Sequence, residues 1–151
     1  MKLFNSNFEI SSRILILLDI YGIPMPCEVI KQIDILSTYC KHYGISDENL
    51  HGDTSYALSE VASRSELINE ALKLLVMQRY VYVTATNKGF LYSISSIGKE
   101  IHRQMVSDYA TDYGNAVKKV KNKITKMSST EINNLLYSIG GKNMYTIGQV
   151  S

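Results

Sequence analysis

The chain has no tryptophan, two cysteines, three histidines and two prolines among its 151 residues. Each shortage closes off a class of protein. Cys27 and Cys40 stand thirteen positions apart in one expected helix. They cannot meet there, so a disulfide scaffold is excluded and both are expected as reduced core thiols. Three scattered histidines offer no metal-ligand spacing, and neither a metal nor a cofactor is expected. Long apolar runs are also missing. The stretch Ile14 to Ile20 is broken by Asp19 and preceded by Arg13. It is too short to cross a bilayer and lacks a signal-peptide cleavage pattern, so a cytoplasmic protein without a membrane partner is expected.

Net charge is small as well, +2, which by itself argues against strong nucleic-acid binding. The charges are nonetheless segregated. Residues 1–60 hold four Lys/Arg against eight Asp/Glu, a net of −4, whereas residues 61–151 hold twelve against six, a net of +6. The one abundance is tyrosine, with eleven copies, a residue apolar in its body and polar at its tip that suits contact surfaces.

Periodicity describes a mainly helical chain. Ser6 and Glu9 have the spacing of a capping box, in which each side chain satisfies an orphan N–H of the other. A helix to about Tyr21 follows, with Ile10, Ile14, Leu17, Leu18 and Tyr21 on one stripe. Gly22 suits the left-handed position that ends it, and Pro24 prevents its resumption. A second helix opens at Pro26, where proline is tolerated, and is expected to run to about Tyr43 with Gly44 as its stop. Residues 45–63 read as a long polar loop. A third helix is expected from about Arg64 to Arg79, capped by Ser63, with Ile68, Ala71, Leu72 and Leu75 inward.

Next comes YVYVTATNKGFLYSIS, Tyr80 to Ser95. Two alternating β-branched and aromatic runs around a polar Gly-containing break signal a β-hairpin. Such a hairpin is marginal alone, so Leu75, Val81, Val83, Leu91 and Ile94 are expected to close it over the helices. Ser95 or Ser96 caps a fourth helix on Ile97, Ile101, Met105 and Tyr109. A fifth covers about Asn115 to Met127 on Val117, Val120, Ile124 and Met127. A second capping box, Ser128 with Glu131, opens a last helix on Ile132, Leu135, Leu136 and Ile139, ended by Gly140 and Gly141. Three helices, a two-stranded wing and then a further helix form the order of a winged helix-turn-helix. The expected fold class is therefore mainly α: a winged helix over 4–110, a helical extension over 111–142 and a tail over 143–151.

A winged helix that reads DNA places its third helix in the major groove and wing-tip cations on phosphate. Here the outward face is expected to carry Arg64, Glu66, Asn69, Glu70, Lys73 and Gln78, and the wing tip only Lys88. Two cations cancelled by two carboxylates suit a neutral face held against protein or water better than one on a phosphate backbone. The fifth helix differs. Lys118, Lys119, Lys123 and Lys126 fan out opposite its apolar stripe and Lys121 flanks the seam, a set that fits a phosphate backbone, an acidic partner or plain solvation. Tyr80, Tyr82 and Tyr92 are the candidate partner anchors of the hairpin. His51, Asp53 and Thr54, in HGDT, lack a nucleophile–base arrangement and are expected to order their loop. The GGK at Gly140 to Lys142 has neither the spacing nor the preceding strand of a phosphate-binding loop. No catalytic constellation is found.

Three stretches carry a resemblance: FNSNFEISSRILILL (Phe4 to Leu18), LHGDT (Leu50 to Thr54) and SELINEALKLLVMQRYV (Ser65 to Val81). Over about residues 4 to 120 they resemble the middle component of bacterial ABC-three-component conflict systems, a small-subunit type also found in Lamassu anti-phage and anti-plasmid defence. The resemblance implies a non-enzymatic adaptor beside an SMC/Rad50-like ATPase and an effector nuclease. Within such a complex, non-specific double-stranded DNA is an expected ligand. A winged-helix transcription regulator is the alternative.

Overall fold

A computed structural model of the protein describes residues 7–40, 58–128, 130–132 and 134. Its first helix, α1 (Asn7–Tyr21), is the one the rest is built around. Residues 13–18 are all buried, where one apolar stripe was expected. A helix covered all round belongs at the centre of its domain. Four other helices touch it: α2 (Cys27–Thr38), α3 (Leu58–Met77), α4 (Ser96–Arg103) and α5 (Asp108–Ile124). Gly22 ends α1 with φ +67°, its N–H donating to Leu18 O at 2.9 Å, as its position before Pro24 suggests.

The second helix is shorter than expected. It begins after Pro26, whose carbonyl accepts from Val29 and Ile30, and stops at Thr38 rather than Tyr43. Thr38 is buried, bonds Asp34 O at 2.8 Å and accepts from Arg64, so a polar cluster fixes this end. Cys40 lies just past the helix; both cysteines are free. The third helix is longer than expected and starts at Leu58 instead of Arg64. Leu58, Val61 and Ala62 carry its apolar spacing six residues upstream, so Ser63 is interior and not a cap. Arg79, at φ +66°, takes the left-handed position that turns the chain from α3 into the hairpin.

Strands β1 (Val81–Thr86) and β2 (Gly89–Ile94) pair antiparallel from Val81↔Ile94 to Thr86↔Gly89. The turn at Asn87–Lys88 is followed by Gly89 at φ +109°, the conformation for which glycine is suited. Val81, Tyr92 and Ile94 share the face that packs on the helices. The expected closure by Val83 and Leu91 does not hold. Leu91 pairs with Thr84 on the opposite face, and Val83, although paired with Tyr92, is exposed. Between α1 and α2, Met25 forms a one-residue bridge with Tyr92, with N–H···O bonds of 3.0 and 2.8 Å.

Ser95 staples the next helix to this junction. Its hydroxyl accepts from Gly98 N at 3.0 Å and donates to Arg79 O at 2.7 Å. Gly98 lies so close to the chain that a β-carbon there would stand 2.3 Å from Tyr80 O. The fourth helix ends at Arg103 and does not reach Tyr109. Ser107 caps a new helix by accepting from Ala110 N at 3.1 Å, so α5 begins seven residues before the expected Asn115. Gly114 falls inside α5, where Ile16 and Ile20 of α1 pack within ordinary contact distance of it. The second capping box forms as expected: Ser128 N donates to Glu131 Oε1 at 3.1 Å, and Glu131 N to Ser128 Oγ at 3.2 Å. Ser6, most of the last helix and its glycines lie outside the described residues.

Candidate interaction surfaces

A polar cluster around Asp34 is sealed from solvent. Asp34 on α2 accepts from Arg13 Nε at 2.9 Å and Nη2 at 3.3 Å, from Arg64 Nη1 at 3.3 Å and from the Tyr113 hydroxyl at 2.7 Å. Arg64 also donates to Thr38 Oγ1 at 2.9 Å, and Arg13 Nη1 to the Tyr109 hydroxyl at 3.2 Å. The guanidiniums stack over rings, Arg13 at 5.9 Å from the Tyr113 centroid and Arg64 at 5.3 Å from that of Tyr39. Four helices thus converge on one carboxylate. Burial pushes the Asp34 carboxyl up, but Arg13, Arg64 and Tyr113 more than offset it and hold it below its ordinary value. Burial and the facing carboxylate keep the Tyr113 phenol protonated. With every Asp34 oxygen engaged and no opening, this cluster orients helices.

Arg64 is therefore not on the outward face of α3, where the sequence placed it; only 2% of it is exposed. An arginine aimed at a buried carboxylate is indistinguishable on a helical wheel from one at the edge of a solvent face. What remains exposed on that face is Glu66, Glu70, Lys73 and Gln78, with Asn69 half-buried and bonded by Cys27. The face is net acidic, and phosphate would be repelled from it.

The basic run is placed otherwise; α5 ends at Ile124 rather than at the expected Met127, so Lys126 stands in the turn after it. Lys118, Lys119, Lys123 and Lys126 are exposed, and no acidic residue occurs between Tyr113 and Thr130. Lys121 donates to Ile20 O at 3.2 Å and lies 5.5 Å from the Tyr21 ring centroid. It ties α5 to the carbonyl end of α1, where a cation is favourable. Asp108 and Asp112 near the start of α5 and lysines near its end also match the helix dipole.

On the hairpin, Tyr80 and Tyr92 are half-buried and Tyr82 is 58% exposed. Phe90, at 59%, joins Tyr82 and Val83 as exposed apolar bulk, and Lys88 is at the exposed tip. His51, Asp53 and Thr54 lie outside the described residues.

A feature that the sequence did not reveal lies between α1, α3 and α4. An open groove of about 440 Å³ is lined by Phe8, Ser12, Leu15, Leu74, Ile101 and Met105 among others, none of them charged. Phe8 is 79% exposed and Leu74 43%, and Met77 and Ile97 are exposed nearby on α3 and α4. In the sequence, Leu74 stands directly beside the inward Leu75 and at i+3 from Ala71. Tertiary context decides that Leu75 is core and Leu74 is not. Across from the groove, His102 Nδ1 meets Asp19 Oδ2 at 2.6 Å and holds α4 to α1.

Among the described residues no cluster of His, Cys, Asp and Glu could hold a metal ion, and no helix is long and apolar enough to cross a membrane. The described residues form a mainly helical bundle with one hairpin, a buried polar centre and open apolar and basic surfaces. Residues 3–144 match the family described as ABC-three component (ABC-3C) system Middle Component 2, and the chain belongs to that family. Its name assigns the chain to a system of several components. Neither a curated protein nor a solved structure matches the chain.

Proposed function

We propose that this chain is a non-enzymatic adaptor that links an SMC/Rad50-like ATPase to an effector nuclease in a Lamassu-type anti-phage and anti-plasmid complex of the cytoplasm. The observation that carries this reading is the uncharged groove between α1, α3 and α4, with Phe8 and Leu74 held open to water. Exposed apolar surface of this kind marks sites of association. In a complex it would supply the apolar anchors on which specific interfaces depend. The test is co-expression of the three components. An adaptor joins ATPase and effector in one species that survives moderate salt, and omitting this chain separates them. An ATPase–effector pair that forms equally well without it refutes the bridging role.

A winged-helix transcription regulator is the second reading. The Met25–Tyr92 bridge supports the winged-helix fold that such a regulator would use, because it places extended backbone between the first two helices, beside the hairpin, as a winged helix has. The winged-helix assignment serves both readings; the acidic face of α3 favours the adaptor. A regulator forms a homodimer on a palindromic site. Gel filtration and binding to the promoter of its own operon separate the two.

A further inference from the structure

We infer that the groove between α1, α3 and α4 receives an amphipathic helix of another component, with its apolar stripe in the groove and basic side chains over Glu66 and Glu70. This deepens the adaptor reading and rests on it. Shape selects a helix. On α3, Glu66, Glu70, Leu74 and Gln78 stand four apart and form one ridge, as do Ile97 and Ile101 on α4, with Met105 just past the end of that helix. Ridges of this spacing interdigitate with those of a third helix. An extended strand needs unpaired backbone on the receiving wall, and here the walls are helices whose backbone bonds are internal.

Charge selects the orientation and the composition. Leu74 and Gln78 line the groove, while Glu66 and Glu70 continue the same ridge beyond its apolar part. Both are exposed, and no ion pair among the described residues involves either. The ridge therefore runs from acidic to apolar. Its complement is a helix with leucine-like residues at i, i+3 or i+4 and i+7, and Lys or Arg a turn or two beyond them.

The test uses the full-length chain co-expressed with the other two components of its system. Four versions are compared: the natural chain, Leu74→Asp, Phe8→Ala, and Glu66→Lys with Glu70→Lys. All four positions are exposed, and thermal melts verify that each variant folds. The inference predicts that Leu74→Asp weakens association at least about 30-fold, the loss expected at an interface hot spot, with Phe8→Ala in the same direction. The double Lys variant should bind several-fold more weakly and lose most of its salt dependence. If the natural chain assembles and all variants assemble equally, the groove is not the docking site and the inference falls while the adaptor reading stands. If the natural chain joins neither component, both fall.

Discussion

Helices α1 and α3 each present two contrasting neighbourhoods. Toward α2 and α5 they bury Arg13 and Arg64 around Asp34; toward α4 they leave Phe8 and Leu74 in water. The usual arrangement is inverted on both sides, and the two inversions cost different things. A buried ion pair returns little net stability against an apolar replacement, but it is intolerant of losing one member. An exposed apolar groove costs the fold little and leaves free energy of burial available to a partner. The first sets the helices, and the second is the surface we propose for association.

The comparison is broken most severely by Asp34→Ala. It leaves Arg13 and Arg64 buried without this carboxylate and should destabilise the chain by about 3–5 kcal/mol, read from the urea midpoint. Neighbouring leucines on α3 sharpen the contrast. Leu75→Ala, in the core, should cost about 2–5 kcal/mol, whereas Leu74→Ser should change stability by no more than about 0.5 kcal/mol and act on association alone.

Acid should act through the same carboxylate. The folded chain holds Asp34 below its ordinary value, so at low pH the unfolded chain binds the proton more readily. The stability Asp34 contributes is complete above the unfolded pKa of about 3.9 and is lost as pH falls through the lower folded value. Urea midpoints should drop as pH falls below about 4, and in Asp34→Asn they should drop less steeply.

The smallest effect on the fold belongs to the α5 surface. Changing Lys118, Lys119, Lys123 and Lys126 to Gln should leave stability within about 0.5 kcal/mol, since propensities are similar and the buried stripe is untouched. We propose backbone contact with DNA for these lysines. Log affinity for unrelated duplexes should then fall with log salt by about 0.9 per phosphate contact, and the variant should flatten that slope. Unchanged DNA binding with loss of the complex would assign them to an acidic protein surface instead.

Local signals in the sequence account for much of this molecule. The start of the α4 helix, the hairpin with its turn at Asn87–Lys88, the stop at Gly22 and the Ser128–Glu131 box are all written in neighbouring residues, and each formed as read. Boundaries that depend on tertiary contact were misread. Thr38 ends α2 in a polar cluster assembled from four helices; the early start of α5 is local, at the Ser107 cap, and the helix runs on through Gly114 on the side of α1. The polar centre left only a faint trace: Arg13 beside an apolar run and Asp34 between Ile33 and Ile35, two opposite charges on positions that periodicity marks as inward. Pairing them across the fold requires knowing which helices meet. The groove left less, since periodicity gives Leu74 and Leu75 nearly the same standing.

The central claim, that the uncharged groove is the working surface, is tested most directly by amide hydrogen exchange of this chain alone and in the complex with the other two components. Short α4 and the first turn of α1 should exchange fastest of the groove walls in the free chain, and both should slow on assembly together with the last turns of α3. Slowing confined to residues 118–126, at the end of α5 and just past it, or to the hairpin, with α4 and the start of α1 unchanged, would contradict the account.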